Sequence, residues 1–534
     1  MKFGLSLACA IGALPFLVSA YDEKIYGVNL GSWLVLEPWM LPAEWKAMGG
    51  QTCDDCSQCI ATEGAFAKAY PDSVDRKFAK HWSTWFTQKH VKQLKEYGIN
   101  TVRIPLGYWI VEELVDRKTE HFPRGGLPYL IKGLQWLNDA GIRVILDHHA
   151  LPGAQASMQM FAGVCTKTPQ FFQPKNYKRA LTWSAVMTVL AHVHPAFASV
   201  FALQAVNEPL MDASKTPGYG EFQVNFVQTV RAVESTLGIS YDTDVASALE
   251  SDLGLDKSYG NALPDSAGDV VGNLFGGVMK KRAKQSASIA PSPLTPSKPA
   301  SVPSRRTAMA TSGSRRPVLR RKEAKCESKR KSDDDGPSSK AARDALQDAI
   351  PILSRLADSL GMPELASIGS GSAPEVRGAG EALSTNFMDV SWQYNDPPNA
   401  AQAALGPQTY DNHLYYLYGG VADANAGAYL ASICNLDRIK NAKKSADTPL
   451  WFGEWSLGTN FNANDTFTRD WADAQKMAFS QGAGWIFWNF RVEESKEAGD
   501  LGRVWSYFEG VKRGFLTKDP SAYFNSHVCD SYRK

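Results

Sequence analysis

Eight short apolar runs separated by helical stretches limit what this chain can fold into more than any other feature. The runs are Tyr26–Leu30, Asn100–Pro105, Arg143–Asp147, Val200–Val206, Phe387–Ser391, His413–Leu417, Leu450–Gly453 and Gly484–Trp488. They are nearly continuous rather than alternating, the pattern of parallel strands covered on both faces. Gly98 and Gly141 sit just before the second and third runs, where a helix is expected to end on a left-handed residue. Helical stretches such as Ala424–Lys440 and Arg469–Gln481 separate the later runs. Eight such units in about 370 residues fit a closed barrel better than an open sheet. The fold class expected is therefore α/β, a (β/α)8 TIM barrel.

The series is interrupted once. Residues 21–239 hold the first half of the barrel, 384–534 the second, and 240–383 form an insert between helix 4 and strand 5. The middle of the insert, Lys280–Lys340, carries 17 of the 57 Lys and Arg and 5 of the 55 Asp and Glu. The formal net charge of +2 is thus the sum of one basic stretch and an acidic remainder. This stretch has few large apolar residues and no periodicity, so it cannot bury enough surface to offset its ordering entropy and reads as disordered. Beyond it, Leu346, Ile350, Leu353, Leu356 and Leu360 recur at helical spacing, which predicts an amphipathic helix over Ala341–Leu360 docked on the body. As an αβ connection the insert belongs opposite the face where barrels carry active sites, so it is expected to take no part in catalysis.

The N-terminus reads as a signal peptide over residues 1–20. Met1-Lys2 is followed by an apolar stretch to Val18 and by the small-residue pattern Val18-Ser19-Ala20. The C-terminus is polar and lacks the tail of a lipid-anchor signal. A secreted protein, extracellular or in a cell wall, with no membrane anchor, is expected. That compartment also argues against reading the basic stretch as a nucleic-acid signal. Cys53, Cys56, Cys59, Cys165, Cys434 and Cys529 form an even set of six, with Cys9 in the leader and Cys326 in the insert. The Cys53–Cys59 cluster has no second cluster or His pair to complete a metal site, so disulfides are expected, with the pairing left open.

Two glutamates carry the chemistry. Glu208 follows strand four in Asn207-Glu208-Pro209, and Glu454 follows strand seven in Gly453-Glu454-Trp455. Both lie at C-terminal strand ends, where a barrel converges its loops. Two carboxyls facing each other across such a pocket suit glycosidic hydrolysis, one protonating the leaving oxygen while the other attacks the anomeric carbon. Pro209 breaks strand pairing, and Gly453 allows close approach.

The chain resembles glycoside hydrolase family 5, and within it the fungal exo-β-1,3-glucanases. The resemblance runs through Gly27–Pro38, Val102–Trp109, Asp147-His-His-Ala-Leu-Pro-Gly153, Asn207-Glu-Pro209, His413-x-Tyr415, Gly453-Glu-Trp-Ser456 and Gly484-Trp-Ile-Phe-Trp488. It implies Glu208 as acid/base and Glu454 as nucleophile of a retaining double displacement. It implies that Arg103 holds Glu454 ionised, that Tyr415 hydrogen-bonds it and that Asn207 contacts a sugar 2-hydroxyl. His149 and His413 are implied as sugar-hydroxyl contacts, Trp488 as the floor of the subsite for the reacting sugar, and Glu37 as a ligand of the terminal glucose. Of the adjacent histidines only one can point inward, and His148 is taken as structural. Trp485 is taken as packing for the same reason, while Trp39, Trp45, Trp109 and Trp392 stay open between sugar platform and core. The chain departs from the family at His148 and Ala150, where Leu and Gly are frequent, and in the cysteine-bearing stretch Met40–Cys59. The expected activity is exo release of glucose from β-1,3-glucan by a monomer needing no cofactor or metal; other β-linkages, transglucosylation and a catalytically weak glucan-binding protein are the alternatives.

Overall fold

Strands β1 (Ile25–Asn29), β2 (Thr101–Gly107), β3 (Arg143–Ala150) and β4 (Val200–Gln204) pair in parallel and in chain order. Strands β5 (Ser384–Met388), β6 (Gln408–His413), β7 (Leu450–Glu454) and β8 (Gly484–Phe487) continue the series, and β8 pairs back on β1 to close a barrel. The computed structural model describes residues 23–239, 337–367, 381–389, 405–446 and 449–533. The expected leader, most of the basic stretch with Cys326, and Trp392 lie outside the described residues.

Helices cover the outside of the barrel, including Gln88–Glu96, Leu127–Asp139, Pro174–Val193, Tyr219–Thr236, Ala426–Cys434 and Asp465–Phe479. Their ends follow local chemistry. Asn425 and Asn464 cap the last two by accepting from the backbone N–H three residues on, at 2.9 and 2.8 Å. Gly98 and Gly141 take φ of 69° and 65° after the first two, a region that disfavours other residues. Among the described residues no helix is long and apolar enough to cross a membrane.

Alternation along the strands builds two separate layers. Val28, Val102, Val144, Leu146, Leu203, Phe452 and Phe487 pack outward with the helices. Ile25, Ile145, Ala202, Trp451 and Ile486 form a distinct apolar plug inside the barrel. Nearer the C-terminal strand ends the interior turns polar, with Asn29, Arg103, Asp147, Gln204 and Asp411 all fully buried. The apolar plug thus closes one end, and the site is built above it.

Two expectations shift. Strand five runs Ser384–Met388 rather than Phe387–Ser391, and strand six runs Gln408–His413 rather than His413–Leu417. Its inward positions Asp411 and His413 are polar, so the strand lacks an apolar signature, and the aromatic run after it is the following loop. The insert holds the helix expected beyond its basic stretch. Pro337–Leu360 is a helix packed on Pro174–Val193 and Tyr219–Thr236, as the spacing of its leucines predicts. Ala342, Ala345 and Ala349 are buried with Leu346, Leu353 and Leu356, so small side chains set the close approach, while Ile350 and Leu360 are only half-buried.

The six cysteines pair as Cys53–Cys59, Cys56–Cys165 and Cys434–Cys529.

Candidate active site

Arg103 is the centre of the polar layer. Its Nη1 donates to Glu454 Oε1 and to Asn29 Oδ1, both at 3.0 Å. Its Nη2 donates to Asn207 Oδ1 at 2.7 Å and lies 3.1 Å from Asp147 Oδ2. Its Nε donates to Gln204 Oε1 at 2.8 Å and lies 3.5 Å from Asp411 Oδ2. One guanidinium thus ties residues from six of the eight strands or their ends, a task its planar fork suits and an ammonium does not. Three carboxylates surround this fully buried cation, which offsets what burial alone costs it.

Glu454 ends β7. Its Oε2 accepts from the Tyr415 hydroxyl at 2.9 Å, so both oxygens are held. Gly453 beside it is required by a close approach: a Cβ there would lie 2.1 Å from Asp411 Oδ1, which instead accepts from the Gly453 N–H at 2.7 Å. The glycine therefore admits a carboxylate of the neighbouring strand rather than a ligand. Burial raises the Glu454 carboxyl above the usual carboxylate range, and the pull of His413 and Arg103 offsets this only in part.

Glu208 stands opposite, on a backbone with φ of 38°, a strained value for a residue with a side chain. His413 Nδ1 bonds its Oε1 at 2.7 Å and lies 3.4 Å from Glu454 Oε2. His413 Nε2 faces Asp411 Oδ2 at 3.4 Å. Both ring nitrogens thus face carboxylates, and His413 bridges the two glutamates rather than reaching for a sugar hydroxyl. Burial alone would lower its pKa, but Glu454, Asp411 and Glu208 outweigh burial and push it up to about 10. Glu208, His413 and Glu454 each bring one ligand-type atom within 4.8 Å of the others. An imidazolium is no metal ligand, and the Glu454 oxygens already accept from Arg103 and Tyr415, so this set favours a proton network over a cation.

The pocket's other wall comes from β1, β3 and β8. His149 points inward and His148 outward, as alternation predicts. His149 Nδ1 bonds Asp147 Oδ2 at 2.6 Å, and its ring lies parallel to Trp488 at 5.6 Å. His148 stacks on Trp183 in the outer core, where burial drives its pKa down to about 3. Glu37 is buried with its Oε1 3.9 Å from His149 Nε2 and its Oε2 accepting from Trp39 Nε1 at 2.9 Å. Burial pushes Glu37 up to about 7 against the pull of His149 and Trp39. The Trp488 ring lies against Gly31, where a Cβ would meet it at 2.9 Å. His149 Nε2 and Asn207 Nδ2 are buried and find no hydrogen-bond partner among the described residues.

All nine residues expected from sequence converge here: Glu37, Arg103, His149, Asn207, Glu208, His413, Tyr415, Glu454 and Trp488. Trp485, Trp45 and Trp109 are core, and Trp39 is half-buried at the pocket edge. Sequence reasoning passed over Asp147 and Asp411, the carboxylates that hold His149, Arg103 and His413. Asp147 stood in a quoted motif, whereas Asp411 was hidden by the displaced sixth strand. Also missed were Gln155, whose Nε2 donates to the carbonyls of His149 and Asn207 at 2.7 and 2.9 Å, and two rim aromatics. Phe161 sits edge-on to His149 at 5.4 Å, and Tyr418, 75% exposed, edge-on to Tyr415 at 5.9 Å.

Residues 69–259 match the family described as Cellulase (glycosyl hydrolase family 5). The chain is similar to a probable glucan endo-1,6-beta-glucosidase B of Neosartorya fischeri, 40% identical over 526 residues that cover 96% of this chain and 92% of that one. It is 40% identical over 223 residues to glucan endo-1,6-beta-glucosidase B of Emericella nidulans, a match spanning 41% of this chain and about half (52%) of that protein's length. A probable glucan 1,3-beta-glucosidase A of Neosartorya fischeri is 35% identical over 189 residues, 35% of this chain and 42% of that one.

Proposed function

The chain belongs to glycosyl hydrolase family 5, and we propose that it is a secreted retaining β-glucan hydrolase acting first on β-1,6-linked glucan. The observation that carries the mechanism is the carboxyl pair. Glu208 and Glu454 present oxygens within 4.8 Å of each other. That suits a double displacement, where the two groups stand about 5–5.5 Å apart, and leaves no room for the extra water of an inverting site at about 6.5–9.5 Å.

In this reading Glu454 attacks the anomeric carbon while Glu208 gives its proton to the departing oxygen. A glycosyl ester on Glu454 results, and Glu208 then takes a proton from the water that resolves it. Arg103 and Tyr415 hold the nucleophile in line, and Arg103 keeps it ionised. Trp488 floors the subsite, stacking on the reacting sugar. The unpartnered His149 Nε2 and Asn207 Nδ2 supply polar atoms that sugar hydroxyls would satisfy, which a buried polar group requires. The three disulfides support an oxidising, extracellular setting.

The linkage rests on the relatives. The sequence resemblance favoured β-1,3-glucan, but the long match at 40% identity is to a probable endo-1,6-glucosidase. Exo action on β-1,3-glucan is the second reading, favoured by the buried Glu37 beside His149, a group placed to bind a terminal glucose. Incubation of the protein with linear β-1,6-glucan and with laminarin, following product length and anomer, decides between them. Oligosaccharides of β configuration from the β-1,6-glucan are expected. Glucose released only from laminarin would reverse the order of the two readings, and an α-configured product would end the retaining mechanism.

A further inference from the structure

The loops after β1 and after β3 both rise from the catalytic face, and the Cys56–Cys165 disulfide joins them. Cys56 and Cys165 are buried around Ala61, with Met158 and Met160 packed against them. Cys53–Cys59 closes the tip of the first loop. The backbone adds one tie between the loops, Gly64 N–H donating to Gly163 C=O at 3.0 Å, while Met158 N–H to Thr166 C=O at 2.9 Å closes the second loop on itself.

The second loop, 151–173, has one short 3-10 turn, Met160–Ala162, as its only regular structure. Ala154 and Met158 in it take φ of 62° and 56°, values such residues keep only where surroundings impose them. Gln155 pins the start of this loop to the His149 and Asn207 carbonyls, and the Cys56–Cys165 bond holds its far part. The turn carries Phe161, whose ring meets His149 at 5.4 Å, and His149 lies parallel to Trp488 at 5.6 Å. A continuous line of contacts therefore leads from the disulfide through Met160 and Phe161 to the floor of the pocket.

We propose that the Cys56–Cys165 clasp is a specificity device that fixes loop 151–173, and Phe161 with it, as a wall of the pocket mouth against which a β-glucan chain of several sugars lies. The inference rests on the proposed hydrolase activity. The clasp is linked to the pocket through Met160 and Phe161, so its loss falls on long substrates more than on short ones. A misplaced wall costs positioning, about tenfold in kcat/KM for a small displacement.

The test compares kcat/KM across β-linked gluco-oligosaccharides, from the shortest that is turned over to the longest soluble one. It uses the full chain and its Cys56→Ser/Cys165→Ser and Phe161→Ala variants. The ratio of long to short is expected to fall about tenfold in both variants, with a shift in product lengths. Phe161→Ala, with the disulfides intact, covers the case in which the cysteine variant folds poorly. An unchanged ratio in Phe161→Ala, or in a folded cysteine variant, overturns the proposal and leaves the clasp a stabilising bond only. A parent protein that cleaves no β-glucan ends the reading of the activity instead, and this inference with it.

Discussion

The two glutamates face each other in one pocket and are held in different ways. Glu454 has a side chain 7% exposed, both oxygens bonded, and a partner in Arg103 that is itself anchored by residues on several strands. Glu208 has a side chain 18% exposed, a single ring against it, and a strained backbone. One carboxylate is locked to a permanent cation and the other to a titratable one. A double displacement makes this division useful: the nucleophile must stay ionised and aligned, while the acid/base must release a proton and recover one in each cycle.

The sharpest way to break the contrast is to neutralise each end. Glu454→Gln is expected to lose about 10⁴-fold or more in kcat on every substrate, since it removes the carboxylate that Arg103 and Tyr415 hold in place to form the ester. Glu208→Gln is expected to lose about 10²–10⁴-fold on glucan. On an aryl glycoside whose leaving group needs no proton, it should keep its first step and show a burst of released phenol. Rapid-mixing kinetics read both. A burst in Glu454→Gln, or none in Glu208→Gln on a substrate the parent accepts, would exchange the assigned roles.

Removing the cation is the next largest effect. Arg103→Met leaves Asp147 without its cation and Glu454 and Asp411 with His413 alone, and breaking such a set costs about 3–5 kcal/mol. Urea unfolding of the variant measures it. His413→Asn is expected to cost less, because Glu208 keeps access to water. If the two variants were equally destabilised, the contrast between a locked and an open end would be wrong.

How much of this was legible in the sequence follows the same division. The barrel showed through because seven of its strands turn an apolar face outward, and the apolar runs register that face. Strand six did not show, because Asp411 and His413 fill its inward positions and leave no apolar run. Glu208 and Glu454 were readable as residues at strand ends, and Arg103, inside β2, through the family motif that holds it. The roles of Asp147 and Asp411 were not, because their partners come from other strands and pairing across a barrel is no local pattern. For His148 and His149, alternation says only that one of the two faces inward, and the family resemblance chose His149. The linking of Cys56 to Cys165 was out of reach, since six cysteines allow many pairings and only the folded loops bring these two together.

The smallest effect, and the finest test of the contrast, is in the pH dependence of stability. The His413 pKa is raised to about 10 in the folded protein, against about 6.5 for an unperturbed histidine. A group whose pKa is raised on folding lends stability that is complete below the unfolded value and is lost as pH climbs through the folded one. The window is therefore about pH 6.5 to 10. Parent and His413→Asn should differ most in urea midpoint near pH 6, with the gap closing steadily towards pH 10. Other alkaline titrations, such as that of the buried Lys476, are common to both proteins and cancel in the difference. The gap between parent and Arg103→Met should hold constant across the same window, since a guanidinium stays charged throughout. A His413 gap that did not change with pH would mean that the ring is neutral when folded. Glu208 would then face a neutral donor, and the electrostatic half of the contrast would fall while the geometric half stood.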